Sequence, residues 1–514
     1  MTVCNPGASR ETLNNGNCTP GDRGEADRGK AEERAVAPLQ PSLSPEKPVT
    51  AGREAACPNQ RLPRYRVPFA VEELPFDEAV ALAADTGTIS GDAGPLLETV
   101  IDMLDELERP DRHFDCIQVA GTNGKTSTAR FTAAILLGEG LTSALYTSPQ
   151  LVRYPERMEI GGRVVSDEAF AHGVSAARTA GERVNARRVA AGERAYTITP
   201  FDLLTVAALV IFAEAAVDVA VLEVGLGGRW DATSATDPVA VAITGIGLDH
   251  MRILGDTLAQ IAGEKAAVIK PGRAVVLGEG THEPSVQRVM DERCRACGVV
   301  PLLANHVVLE RPKRLGDACV FSTTTSRAIY TPRIVKPAYQ AQNAACAIAL
   351  AETYLARALD PVTLEESLAT CPTPGRFDVV RAEPLVLVDA CHNPQSCEMF
   401  VSSLDEISLV VAERPTLLIA ALTDKDVSGI VDVLVPAFPR VVVTQTASTR
   451  AMTARELAGL VVERLAALGR PEGELVAVYD SVPEALDALT AAGEPVVAAG
   501  TITLAGEVAG CLGQ

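Results

Sequence analysis

Tryptophan is almost missing from this chain and histidine is scarce: its 514 residues include one Trp and six His, and only 4% are aromatic. Basic charge is also in short supply, 46 Lys and Arg against 66 Asp and Glu, which leaves a formal net charge of −20. A protein that grips DNA or RNA needs clustered Lys and Arg to displace counterions, so a nucleic-acid partner is excluded as the main role. A small anion in a local basic pocket is not. No apolar run reaches the roughly 20 residues of a membrane span; the best candidate, Leu203 to Val224, is broken by Glu214 and Asp218. The opening MTVCNPGASRETLNNG lacks the basic start and apolar centre of a secretory signal. The 12 cysteines are scattered without the dense spacing of a disulfide scaffold. Cys294 and Cys297 have metal-ligand spacing, but no second CxxC or His pair accompanies them, which favours ordinary helix residues. These absences predict a cytoplasmic chain with no membrane partner, expected to act as a monomer.

What is present is a globular composition, 47% hydrophobic and 22% charged, in a chain long enough for about two or three domains. Residues 1–65 are polar, of mixed charge and without apolar period, and read as a disordered extension. From Phe69 onward, strand-length apolar runs alternate with helical patterns, the signature of parallel strands joined by crossover helices. Strands are expected at Cys116–Ala120, Ser143–Thr147, Val217–Val224 and Val239–Ile246, and helices at Lys125–Leu137, Phe201–Ala215 and Leu258–Ile269. CPTPGR, Cys371 to Arg376, interrupts the rhythm with Pro and Gly and reads as a hinge. Beyond it, LVLVDA, TLLIAAL, RVVVTQT, LVAVYD and PVVAAG begin a second alternation. The expected fold is α/β, with a first domain over 66–374 and a smaller Rossmann-like one over 375–514.

The chemistry starts at GTNGKTS, Gly121 to Ser127, where the strand CIQVA turns into a helix. Gly121 and Gly124 let the backbone curl so that the amides of Thr122, Asn123 and their neighbours face phosphate oxygens, and the helix N-terminus adds positive potential. Lys125 then reaches the terminal phosphates, and Thr126 or Ser127 offers a hydroxyl to Mg²⁺. Val119 stands where the full Walker pattern has glycine, so this is a shorter relative of that loop. In VLEVGLGGRWDAT, Glu223 closes an apolar strand and is a candidate Mg²⁺ ligand, because that hard ion takes oxygen donors. Asp249 and His250 of GLDH follow another buried strand, and Lys265 of EKAAVIK faces the same region if its helix packs back on the sheet. In DACHNP, Asp389 and His392 close the first strand of the second alternation, placed to meet a nucleotide across a cleft. A nucleophilic Cys391 paired with His392 is the weaker alternative, since adjacent loop residues rarely aim at each other.

Together, GTNGKTS, YTSPQL, ERMEIGG, EVGLGGRWDAT, GLDH, EKAAVIK, QAQNAA, PGR, DACHNP, DKD and AAGTITLAGEV resemble, in order, the folylpolyglutamate synthase and dihydrofolate synthase family of the Mur ligase superfamily. The resemblance covers the chain from about Phe69 onward and implies a P-loop Mur-ligase-type ATP-binding domain followed by the smaller one. It implies that Ser127, Ser148, Glu223 and His250 hold Mg²⁺, with two ions in the site, and that Lys265 is carbamylated. It implies that Gln340, Asn343, Arg376, Asp389 and His392 hold ATP together with the loop. Thr126, Gln150, Asp202 and Ser234 depart from the commonest family residues, but Thr126 keeps a loop hydroxyl and none removes one of those metal ligands. The segment TGTISGDAGPLLETVIDMLDEL lacks the family's clear basic and polar pterin-facing stretch.

The activity implied is transfer of the ATP γ-phosphoryl to a pteroate or folate carboxylate, then displacement of phosphate by the amino group of L-glutamate. Dihydropteroate and reduced folates are the expected acids. A Mur-type ligase acting on a peptidoglycan precursor is the rival within the class. A P-loop NTPase that spends ATP on conformational change is the rival outside it, and it leaves the second domain unexplained.

Overall fold

The computed structural model describes residues 64–84 and 97–513. The extension expected over 1–65 lies outside them except for its last two residues, and Tyr65 is not tail-like. It is buried, and its hydroxyl donates to the Leu107 carbonyl at 2.8 Å.

The first lobe is built on an eight-stranded sheet in the order β4-β3-β2-β5-β1-β6-β7-β8. Its strands are β1 (Asp115–Ala120), β2 (Ser143–Tyr146), β3 (Met158–Ile160), β4 (Arg163–Val164), β5 (Val219–Glu223), β6 (Ala240–Gly245), β7 (Ala274–Gly280) and β8 (Leu302–Leu303). All pair in parallel except β3 and β4, which form an antiparallel edge. Strands buried on both faces read as continuous apolar runs, and β5, VAVLE, is one. Because side chains alternate along a strand, Ala220 and Leu222 pack on one face while Val219 and Val221 pack on the other.

The first face is covered by α1 (Phe76–Ala84), α2 (Leu97–Glu106), α4 (Asp167–Ala190) and α5 (Pro200–Glu214). The same face, over β6 and β7, is covered beyond a short turn α6 (Met251–Leu254) by α7 (Leu258–Ala266) and α8 (Pro284–Cys297), whereas α3 (Lys125–Gly138) lies on the other. α9 (Gln340–Leu355) and α10 (Pro361–Thr370) complete that layer. The apolar helix α5 is buried from Leu203 to Ala213. At about 1.5 Å per residue its 15 residues fall well short of a bilayer core of ~30 Å, and apolarity all round here marks a core helix. Among the described residues no helix is long and apolar enough to cross a membrane. Cys294 and Cys297 are free, buried members of α8, packed in the core with Ile261 and Met290.

A small antiparallel sheet of β9 (Val307–Glu310), β10 (Cys319–Thr324), β11 (Ile329–Tyr330) and β12 (Arg333–Ile334) follows β8. The second lobe has six strands in the order β13-β14-β18-β15-β16-β17. They are β13 (Asp378–Arg381), β14 (Val386–Asp389), β15 (Thr416–Ile419), β16 (Val441–Val443), β17 (Leu475–Val478) and β18 (Val496–Ala499), with only β13 antiparallel. Helices α11 (Pro394–Ile407), α12 (Val427–Leu434) and α13 (Ala454–Ala467) cover one face, and α14 (Val482–Ala491) and α15 (Ile502–Cys511) the other. The carboxyl ends of β1, β5 and β6 carry the first lobe's motifs, and that of β14 carries DACHNP.

Candidate active site

The phosphate loop is shaped by what surrounds it. The Thr122 N–H donates to the Gly245 carbonyl at 2.8 Å and the Thr244 hydroxyl to the Asn123 carbonyl at 2.6 Å, so β6 clamps the loop that leaves β1. Gly124 has φ +82°, and a Cβ there would sit 2.3 Å from Asn343 Oδ1, so any other residue must push the Asn343 side chain aside as well as adopt a strained backbone. Gly124 offers no side-chain cap to α3, whose first amides therefore keep their capacity for an anion.

Lys125 opens α3, and its ammonium donates to the Thr122 carbonyl at 3.1 Å. Glu223, 1% exposed at the end of β5, accepts from the Thr126 hydroxyl at 2.8 Å and from the Ser148 N–H at 3.2 Å. Burial pushes the Lys125 ammonium down and the Glu223 carboxyl up, and their mutual attraction opposes both shifts without cancelling either. Lys265 does reach this end of the sheet: 5% exposed, it donates to the Gly121 carbonyl at 2.7 Å. Burial first, and the Lys125 charge second, lower its pKa to about 7. His250, in the left-handed region at φ +50°, is lowered to about 4, chiefly by burial.

The cleft, about 290 Å³ in volume, is faced by both lobes. From the first come Thr122, Asn123, Gly124, Lys125, Thr126, Ser127, Ser148, Glu223, His250, Lys265 and Asn343, and from the linker and second lobe Arg376, Asp389 and His392. Two sequence-derived candidates stand behind this lining. Gly121 is one residue too early in the loop. Gln340 is fully buried, where its Oε1 accepts from Asn343 Nδ2 at 2.9 Å. Asp389, buried, accepts from the Phe377 N–H at 2.7 Å and the Cys391 N–H at 2.9 Å, which ties β14 to the linker.

Sequence reasoning left one central group without a role. Asp249 takes Lys425 Nζ at 2.7 Å and His392 Nε2 at 3.4 Å, both from the second lobe. Burial alone would raise its carboxyl, but His392, His250 and Lys425 outweigh it and hold the carboxyl far below the usual carboxylate range. Lys425 lies in DKD after β15, at a strand's carboxyl end, the same positional signal that marks Glu223. Asn123 and Gln395, 2.9 Å apart, add a second tie between the phosphate loop and α11.

The departures from the family residues have local duties. Gln150 accepts from Arg157 Nε at 2.7 Å, Asp202 completes the capping box of Thr199, and the Ser234 hydroxyl donates to the Gly228 carbonyl at 2.6 Å. Asp231 shapes the glycine loop after Glu223 by accepting the Gly225 and Leu226 amides, each at 2.9 Å. Of the segment TGTISGDAGPLLETVIDMLDEL, residues 86–96 lie outside the described residues.

Comparison with known proteins agrees with this geometry. Residues 119–293 match the Mur ligase middle domain, and 375–503 match the Mur ligase glutamate ligase domain. The "Dihydrofolate synthase/folylpolyglutamate synthase" of Mycobacterium tuberculosis is 32% identical over 438 residues, 80% of this chain and 87% of that protein. A "Probable bifunctional folylpolyglutamate synthase/dihydropteroate synthase" of Haloferax volcanii is 35% identical over 408 residues, 78% of this chain; the chain spans only 46% of that longer protein. The solved structure of Mycobacterium tuberculosis folylpolyglutamate synthase complexed with ADP superposes with a TM-score of 0.75 at 29% identity, over 85% of this chain and 99% of that one. With the sheet-edge motifs, the two-sided cleft and these likenesses in agreement, the chain belongs to the folylpolyglutamate synthase/dihydrofolate synthase family of Mur ligases.

Proposed function

We propose that this chain is an ATP-dependent ligase that joins L-glutamate to the carboxylate of dihydropteroate or a reduced folate, with its two working parts over 66–374 and 375–514. The observation that carries this reading is the cleft itself. A phosphate loop with Lys125 on one wall faces Arg376, Asp389, His392 and Lys425 on the other, which suits a reaction that must join three substrates away from water.

In the first step a carboxylate oxygen of the acid attacks the γ-phosphorus of ATP, the bond to the β-phosphate oxygen breaks, and ADP and an acyl phosphate result. The loop amides and Lys125 bind the phosphates and hold them in line. In the second step the glutamate amine attacks the acyl carbon, loses a proton and expels phosphate, leaving an amide. Lys425 and Arg450 are the cationic side chains of the second lobe that line the cleft away from the linker, and they suit the carboxylates of the incoming amino acid. Asp389 and His392 position the nucleotide from the same side.

Mg²⁺ fits the donors present. Glu223 is a buried carboxylate at the cleft, and Ser127, Ser148 and His250 line the same cleft. When bound there, Mg²⁺ neutralises charge on the transferring phosphoryl group. Among the described residues no three His, Cys, Asp or Glu side chains cluster as a metal cage, and few protein carboxylates are what an ion shared with phosphates requires. Carbamylation of Lys265 is part of the reading, because an amine with a pKa near 7 carries the free lone pair that attacks CO₂.

Phosphate release and product mass, measured with purified protein across dihydropteroate, reduced folates and glutamate, test the proposal. Release should require an acid and glutamate together and disappear in Lys125→Ala. Full-rate release with neither substrate would mean that the chain is not a ligase.

A further inference from the structure

The loop that carries Ser148 leaves the first lobe and packs against the core of the second. Leu151, three residues after Ser148, packs against the cluster on one face of the second sheet that includes Val388, Ala390, Leu504 and Ala505. Its backbone is gripped as closely as its side chain. A Cβ at Gly506 of α15 would lie 2.0 Å from the Leu151 carbonyl oxygen and 3.0 Å from the carbonyl carbon, so not even alanine fits at 506 unless the loop or the helix moves. One turn later on the same face, a Cβ at Gly510 would touch Val152 at 3.5 Å. From the linker, Gly375 closes on Leu151 Cδ1, to which its own Cβ would come within 3.0 Å.

This grip is transmitted to the cleft by short, stiff connections. Glu156 accepts the N–H groups of Leu151, Val152 and Arg153 at 3.0, 3.1 and 2.7 Å, which makes the segment one rigid corner. At its other end the Ser148 N–H holds Glu223 Oε2 at 3.2 Å, and Glu223 Oε1 holds Thr126 of the phosphate loop. The first residues of α15 and its cap, Ile502 and Thr501, line the same cleft.

We propose that Leu151 and Gly506 form a plug and socket through which the second lobe sets the position of the Ser148 loop, making Leu151 a positioning residue for Glu223 and the phosphate loop. A residue that only filled the second lobe's core would, when truncated, loosen that core and leave the Ser148 loop as it was. The plug couples the two. Where turnover is measured, the inference rests on the ligase reading above; amide exchange and ADP binding test it independently.

The test is hydrogen exchange on the full chain, with ADP affinity and phosphate release, for the wild type, Leu151→Ala, Leu151→Met and Gly506→Ala. Amides 148–153 should exchange about tenfold faster in Leu151→Ala and Gly506→Ala, while those of α3 and β14 keep wild-type protection. Phosphate release should fall by about 100-fold, the scale of a misplacement of about 1 Å, with the KM for ATP changed far less. Leu151→Met, which refills the socket, should restore both. Unchanged exchange at 148–153 in the alanine variants would overturn the proposal, and so would loosening spread evenly through the second lobe. If the wild type releases no phosphate with glutamate and a pteroate, the ligase reading fails while the exchange result still decides the coupling.

Discussion

Lys265 shows how far burial can change a residue's chemistry. A solvated lysine is a cation near neutral pH, but this one is held near a pKa of 7 by burial and by the Lys125 charge, with the Gly121 carbonyl as its hydrogen-bond partner. Attack of the free amine on CO₂ would form an N–C bond, release a proton and leave an anion beside Lys125 in place of a neutral amine. Stripping CO₂ from the buffer should therefore lower phosphate release at pH 7 and added bicarbonate should restore it, whereas Lys265→Met should be slow and indifferent to bicarbonate; a wild type equally active without CO₂ would dismiss the carbamate. A second titration, of a half-buried histidine, concerns stability. His172 of α4 sits 3.1 Å from Glu214 of α5 and 2.6 Å from Glu73, and these partners raise its pKa from 6.5 to about 9 against the opposing effect of burial. Since the folded state holds the proton more tightly, the stabilisation is complete below pH 6.5 and is lost as pH rises through about 9. Denaturant midpoints should fall across that window in the wild type, and His172→Gln should start lower and change less.

At the scale of elements, the N-termini of the helices differ in a way that bears on function. Ser166, Thr199, Thr257, Asn393 and Thr453 each cap their own helix with a side-chain oxygen, whereas Gly124 leaves α3 open. A helix so left has unpaired amides for a phosphate. Gly124→Ala adds a methyl where Asn343 stands 2.3 Å away, at a φ of +82° that costs a non-glycine residue about 1–3 kcal/mol. Calorimetric ADP affinity should drop by about tenfold or more, while far-ultraviolet circular dichroism stays unchanged; wild-type affinity would show that the loop does not need its present shape. Elements like α3 were legible in the sequence because strand, glycine turn and helix follow one another directly. The parallel strands were legible too, from apolar runs such as VAVLE. The antiparallel sheet of β9 to β12 was not: two of its strands are two residues long, and the apolar run of Val307 to Leu309 is only three residues and largely exposed, too short to mark a strand by period. Helix α4 escaped because its buried face is mostly alanine and glycine, with arginines between, which leaves little apolar periodicity to read. Among the site residues, those in a motif at a strand end could be placed from sequence. That Gln340 is fully buried against Asn343 and outside the cleft lining shows only in the packing of α9.

For the molecule as a whole, the question is what holds two separate sheets around one cleft. The covalent link is the turn of Pro and Gly at 371–376, and the apolar link is Leu151 in its socket. Polar ties add direction: Arg311 pairs with Glu406, Asn123 with Gln395, and Asp249 with Lys425 and His392. In the first, the Arg311 side chain is 60% exposed, which weakens the pair by solvent screening. Asp249 and Lys425 are different, with side chains only 10% and 12% exposed at 2.7 Å, a geometry in which removing one partner strands the other. Under the proposed function that pair also sets a competition, because a glutamate carboxylate bound at Lys425 would share or displace Asp249. Lys425→Met should therefore raise the KM for glutamate by about tenfold or more with little change in that for ATP, as expected when a charge-assisted contact worth about 1.5–3 kcal/mol is lost. Asp249→Asn should raise the radius of gyration in small-angle scattering, because it removes the charge that draws Lys425 and His392 across the cleft. In a double-mutant cycle the two substitutions should fall short of additivity by about 0.5–3 kcal/mol in unfolding free energy, since each breaks the same contact. Strict additivity, with an unaltered radius in Asp249→Asn, would mean that the linker and the Leu151 socket alone hold the lobes together.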